Sequence, residues 1–210
     1  MTPLFPSRST LTRRALFFGG ASLLGGCSAI SALDAAATPL DTYDLGPASG
    51  TQTGTRTAAT LLVARPEAAA PIATDRLMIR PTPAAVTYLP DARWSDDLPV
   101  VVQSLLIRSI AATGRVGYVG KTDGGPVPDT VLLVRIDAFE VEVAGPETYI
   151  ARIDITLTAI DDRSQTVKAS RSFAQSAGVS DTMPATIVAG FQRIVDVLAP
   201  AMADWAAARA

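Results

Sequence analysis

Tyr149-Ile150-Ala151-Arg152-Ile153-Asp154-Ile155-Thr156-Leu157-Thr158-Ala159 is the stretch on which the fold turns. Tyr149, Ala151, Ile153, Ile155, Leu157 and Ala159 share one parity, and Arg152, Asp154, Thr156 and Thr158 the other. Successive side chains of a strand point to opposite faces, so this alternation specifies a strand with one dry face and one wet face. Upstream, Val131 to Val143 also alternates, but the apolar phase slips at Ala138-Phe139: Ile136 and Ala138 lie on one parity, Phe139, Val141 and Val143 on the other. A β-bulge there would return both sets to the buried face. Gly145-Pro146 turns the chain between these two segments, and Asp161-Asp162-Arg163-Ser164 turns it again into a third, Thr166 to Gln175. The three form an antiparallel meander with one solvated face.

Two helices flank the meander in sequence. From Ser95 onward Leu98, Val101, Val102, Leu105, Leu106 and Ile110 recur at three and four residues, with Ser95, Asp96 and Pro99 at the start and Gly114 at the end. From Ser180-Asp181 the stripe Ile187, Phe191, Ile194, Leu198, Met202 and Trp205 repeats at helical spacing, and Pro200 should kink the helix or end its regular part. Nearer the N-terminus, Asp41 to Leu45 reads as a short strand, residues 48 to 58 as a polar loop, and Thr60 to Ala64 as a central strand buried on both faces. Leu77 to Arg80 and Ala85 to Leu89 read as short strands bracketing a Pro81 to Pro83 turn, at an edge or in a hairpin. Two apolar helices can cover one face of a sheet of five or more mostly antiparallel strands, which gives an α+β two-layer sandwich.

Composition narrows the chemistry. The chain has 210 residues, 48% hydrophobic and 18% charged, with net charge −2, one cysteine and no histidine. A disordered chain is excluded, and so are His-based triads, His-bearing metal clusters, CxxC redox pairs and disulfide frameworks. The 18 Lys and Arg form no run, so the footprint of a nucleic-acid binder is missing.

The N-terminus reads as an address and an anchor. Arg13-Arg14 precede an uncharged run from Ala15 to Gly26, roughly a dozen residues where a spanning helix needs about 20. The run ends in Leu24-Gly25-Gly26-Cys27, which resembles a bacterial lipobox, although a buried free cysteine would also fit. Residues 1–26 are therefore expected to be a lipoprotein signal peptide, Cys27 the lipidation site, and residues 27–40, rich in Ala, Ser and Thr, a tether to a domain spanning 41–210. Thr12 to Phe17 also looks like a twin-arginine signal, so that route and the general secretory route both stay open. Either leads to the periplasmic side, and Ser28, rather than aspartate, after the cysteine suits release to the outer membrane. The mature chain keeps 15 basic and 20 acidic residues, a net charge of −5.

Few motifs carry chemistry. Gly117-Tyr118-Val119-Gly120-Lys121-Thr122 evokes a phosphate loop, but Arg115 stands where its first glycine belongs and Asp123-Gly124-Gly125-Pro126 follows where a helix is required, so a turn is expected. Asp96-Asp97 and Asp161-Asp162 read as a helix cap and a hairpin turn. Lys121 and Lys168 are the lysines that a Ser-based hydrolase could use as base, and neither lies in a recognisable motif. Arg93-Trp94, just before the first helix, could anchor a partner, or Trp94 could lock that helix onto the sheet.

Taken in order, Tyr43-Asp44-Leu45-Gly46, Leu62-Val63 with Arg65-Pro66, Arg76 to Arg80, Tyr88, Arg93-Trp94 leading into Asp97-Leu98-Pro99, Phe139 and a closing helix with Trp205 resemble the ABC-type transport auxiliary lipoprotein family, the PqiC-like proteins. The polar insertion around 48–58 departs from that pattern. The resemblance implies a non-enzymatic, lipid-anchored accessory subunit without cofactors. Its partner would be the MCE-domain substrate-binding subunit of an ABC transporter moving lipids between inner and outer membranes, with ATP hydrolysed by another chain. Self-association stays open. The alternative is a stand-alone lipid- or lipopolysaccharide-binding lipoprotein of the outer membrane. Arg93, Trp94 and the 120–128 loop are the candidate partner contacts.

Overall fold

The structure, a computed structural model, describes residues 40–210; the expected signal peptide (1–26), Cys27 and most of the expected tether (27–40) lie outside the described residues. Nine strands form one mixed sheet, and two helices cover its dry face. The meander is as the alternation requires: β7 (Thr130–Gly145), β8 (Thr148–Asp161) and β9 (Thr166–Val179) pair antiparallel along nearly their whole lengths. On β8 Ala151, Ile153, Ile155, Leu157 and Ala159 are all buried, while Arg152 is exposed. The expected bulge is present. Ile136 pairs with Ile155 and Ala138 with Asp154, so Asp137 is the extra residue, and Leu132, Val134, Ile136, Phe139 and Val141 all reach the core.

The other edge of β7 is shared along its length by three short parallel strands. β2 (Thr60–Val63) pairs at Thr130 to Leu132, β3 (Glu67–Ala68) at Arg135-Ile136, and β4 (Arg76–Thr82) at Val141-Glu142. β2 is buried, as its apolar run demands, between β7 and the parallel strand β6 (Tyr118–Lys121). β4 turns back into β5 (Ala85–Trp94), and β1 (Asp41–Tyr43) lies parallel on the outside of β5. Antiparallel pairing therefore dominates by length, although five short pairings are parallel. Where a turn was expected at Gly117 to Thr122, the chain forms edge strand β6. Tyr118 to Lys121 can pair because β2 offers a free edge, a partner that local sequence does not reveal.

Helix α1 (Leu98–Ala111) buries its whole expected stripe, and Gly114, at φ +63°, ends the turn beyond it in a conformation costly for other residues. The expected cap is different in detail. Asp97 occupies the N-cap position, but its carboxylate makes no capping bond and pairs with Arg65 at 3.3 Å. Helix α2 (Pro184–Ala207) buries Ile187, Phe191, Ile194, Leu198, Met202 and Trp205, and its Gly190 lets it approach β9: a Cβ there would lie 2.8 Å from Val179. Pro200 does not end the helix, which runs on to Ala207. Burial of Met202 and Trp205 favours continuation, and Asp204, one turn on, is held by the Thr51 amide at 2.7 Å, the Thr51 hydroxyl at 2.8 Å and Arg115 at 3.2 Å. These contacts outweigh an interior proline, which costs about 3 kcal/mol. They also fasten the polar 46–58 segment over α2, together with the Gly46–Gln192 bonds. By length and composition α2 could cross a membrane, but here it is the principal core helix.

Candidate functional site

Alternation along β5 sends Arg93 and Trp94 in opposite directions. Trp94 is 2% exposed, with edge contacts to Phe139 and Phe191 at 5.7 Å each, and those two rings stack at 4.8 Å. Of the two roles open to Trp94, the structure gives it the packing one: it joins β5, β7 and α2 and presents no surface to a partner. Arg93 is exposed, donates from Nε to the Thr42 hydroxyl at 3.2 Å and faces Arg76 across the ladder. Arg76 turns aside, donating to the carbonyls of Leu89 and Pro90 at 2.9 and 3.0 Å, and so holds the irregular stretch of β5.

The loop after β6 is tied at its end by Asp129, whose carboxylate accepts the Thr60 amide at 2.8 Å while its own amide donates to the Thr60 carbonyl at 2.9 Å. Val127, at its tip, is 85% exposed. The loop meets β7 at its beginning, whereas β4, which carries β5 on its other edge, joins β7 near its far end. At about 3.3 Å per residue, Arg93 and the loop are on the order of 25 Å apart. They do not form one patch.

Sequence reading did not find the outer face of the sheet, where charged groups are paired off. Arg80 donates through Nε and Nη2 to both oxygens of the buried Glu140, at 2.8 Å each, and this hydrogen bonding raises the pKa of the guanidinium. Arg152 donates to Glu142 at 3.2 Å and lies 3.6 Å from Asp154; the bond to Glu142 likewise raises its pKa. Arg135 donates to Asp137 at 2.7 Å and, with Thr156, holds that carboxyl below its usual range. The signal for the Arg80 pair was a glutamate inside the apolar run Phe139-Glu140-Val141, but its partner lies 60 residues away.

None of this is arranged for acid–base chemistry. Asp161 accepts from the amide and hydroxyl of Ser164, both at 2.9 Å, and so builds the expected turn; these bonds depress its pKa. Lys168 donates to Thr130 at 2.7 Å, but Thr130 is fully buried and donates its own proton to the Arg209 carbonyl at 3.1 Å, so the pair clamps the C-terminus rather than offering a nucleophile. Among the described residues no three His, Cys, Asp or Glu side chains are grouped to hold a metal. Two depressions are open and mixed in polarity. One of 190 Å³ is floored by Leu133, Arg135 and Thr156; another of 790 Å³ lies between Val127, Asp161, Lys168 and Ala210.

The long central strand β7 gathers three short parallel strands under two helices, with an Arg-Trp pair at the entry to the first. The family model described as "ABC-type transport auxiliary lipoprotein component" matches residues 43–203. The chain belongs to this family. The auxiliary lipoprotein's fold is also that of a crystal structure from Xanthomonas campestris, with a TM-score of 0.72 at 23% identity over 80% of this chain and 95% of that one. A second solved structure, of an uncharacterised protein, gives a TM-score of 0.57 at 13% identity over 81% of this chain and 95% of that one. A PelC dodecamer from Paraburkholderia phytofirmans is more distant, at a TM-score of 0.41 and 15% identity over 72% of this chain and 91% of that one. No curated protein matches significantly by sequence.

Proposed function

We propose that this auxiliary lipoprotein is anchored through Cys27 in the periplasm, at the outer membrane, and serves an MCE-type ABC transporter that moves lipids between the two membranes. The observation that carries this reading is the family match across nearly the whole folded domain. The lipobox-like Leu24 to Cys27 supports the anchor. The partner is the MCE-domain substrate-binding subunit; the work of transport belongs to other chains, and this family is not an enzyme family. A lipid tether raises the local concentration of the domain at the membrane, so a modest intrinsic affinity suffices. Arg93 and the exposed residues of the 120–128 stretch are the contacts to examine, as separate points on a large partner, since exposed loops on a rigid sandwich are common binding elements.

The test is capture of the tagged lipoprotein from detergent-solubilised membranes, followed by identification of what travels with it. Recovery of an MCE-domain subunit, weakened by Arg93→Glu at unchanged melting temperature, supports the proposal. Recovery of the lipoprotein alone with co-purified lipid favours the stand-alone lipid-binding alternative.

A further inference from the structure

β4 and β5 leave the body of the sheet together. The last β4 residue registered with β7 is Arg80, beyond which Pro81 to Tyr88 are exposed at every position, on both faces of the hairpin. The Thr82–Ala85 pair closes a two-residue turn of Pro83 and Ala84. From Pro81 to Pro90 the sequence carries no charge, and Arg80, which donates to the Pro83 carbonyl of the turn at 3.2 Å, is neutralised by Glu140 at 2.8 Å. Val86 and Tyr88 are 39% and 37% exposed. Such a tip invites a partner, and its prolines limit which kind. Pro81 and Pro83 have no amide hydrogen to donate, so the outer edge of β4 is a poor template for strand addition by another protein.

The direction of β1 favours a different occupant. β1 is parallel to β5, with Asp41 beside Ala92 and Tyr43 beside Trp94, so β1 starts on the side of the beginning of β5, the end that bears the hairpin turn. From Arg76, opposite Arg93, to Thr82 is six residues of β4, about 20 Å. Twelve residues, 28–39, separate Cys27 from Leu40. A chain of that length spans at most about 45 Å, so a lipid surface at the hairpin tip lies within its reach. The 121–129 loop and the β8–β9 turn are at the opposite end of the sheet.

We propose that the uncharged β4–β5 hairpin tip rests in the interfacial layer of the membrane that holds the Cys27 acyl chains, orienting the domain with its 121–129 loop directed away from the lipid. This rests on Cys27 being acylated. Contact is shallow, because Glu147 in the β7–β8 turn and Asp181 before α2 belong to the same end and stay in water. The tether supplies the affinity; the hairpin supplies the orientation.

The acylated full chain has no free thiol, since Cys27 is its sole cysteine, so an introduced one can be labelled alone. Ala84→Cys at the tip and Arg163→Cys in the β8–β9 turn, each carrying an environment-sensitive fluorophore, are reconstituted into phosphatidylethanolamine–phosphatidylglycerol vesicles doped with a shallow nitroxide lipid. The expected result is a blue shift and several-fold stronger quenching at Ala84→Cys than at Arg163→Cys, and reversal of most of that difference on adding Val86→Glu. Equal, water-like emission from both labels on vesicles that carry the protein in flotation overturns the hairpin contact while leaving the anchor intact. Failure of the native chain to float with vesicles overturns the anchor and this proposal together. Protection of the Ala84→Cys label only when a transporter subunit is present overturns it in favour of a protein contact.

Discussion

Phe191→Ala tests the core where α2 meets β5 and β7. Phe191 is 1% exposed, stacks on Phe139 of β7 at 4.8 Å and meets Trp94 of β5 edge-on at 5.7 Å, so one ring couples α2 to two strands that are distant in sequence. Truncating a fully buried phenylalanine costs about 3 to 5 kcal/mol, through lost transfer energy and the cavity left behind. Each aromatic pair adds about 0.5 to 1.5 kcal/mol beyond burial, which places this site in the upper half of that range. At about 2 to 4 °C per kcal/mol for a domain of this size, the melting temperature falls by roughly 8 to 20 °C. The measurement is a thermal melt and a urea titration on the purified protein, with Phe191→Leu, which keeps most of the volume but loses the stack, expected to fall between variant and parent. An unchanged midpoint for Phe191→Ala would mean that α2 does not seal the sheet, and the reading of its stripe as core would fail.

Removing Arg80 strands a buried carboxylate, so Arg80→Leu destabilises by up to about 3 kcal/mol while Arg80→Leu/Glu140→Leu recovers most of that loss; a double-mutant cycle in urea checks this, and additive losses would contradict the pairing. Asp137, Asp161 and Asp181 are held below the ordinary carboxylate range, by Arg135, by Ser164 and by the Met183 amide respectively. Their folded pKa values are depressed, so the stability they contribute is present above about pH 4 and is lost as pH falls through the folded values. Urea midpoints measured from pH 6 down to pH 3 should decline, and the decline should be shallower in Asp137→Asn. Labelled fatty acid should enter the wild-type chain and not Cys27→Ala, and membrane fractionation then reports whether Ser28 permits outer-membrane release; equal labelling of the variant would remove the anchor.

The parts of this protein legible in its sequence are those whose signal is periodic within one element. The parity of β8, the stripes of α1 and α2 and the phase slip that becomes the Asp137 bulge each follow from which side chains must leave water, and burial enforces them residue by residue. The two-layer architecture follows from those faces, because amphipathic elements have few ways to hide them. Tertiary structure decided what depends on partners far along the chain. That one edge of β7 is divided among β2, β3 and β4, that Tyr118 to Lys121 pairs instead of turning, and that Arg80 finds Glu140 are results of loop closure, on which no local pattern reports. Pro200 shows the contest most clearly. Local chemistry argued for a kink or an end, and the buried Met202 and Trp205, with Asp204 fastened to Thr51 and Arg115, carried the helix on to Ala207, because packing outweighs the loss of one backbone hydrogen bond. Trp94 belongs to both lists: its place beside Arg93 was readable, but which of the two would face solvent depended on the strand register that only the assembled sheet fixes.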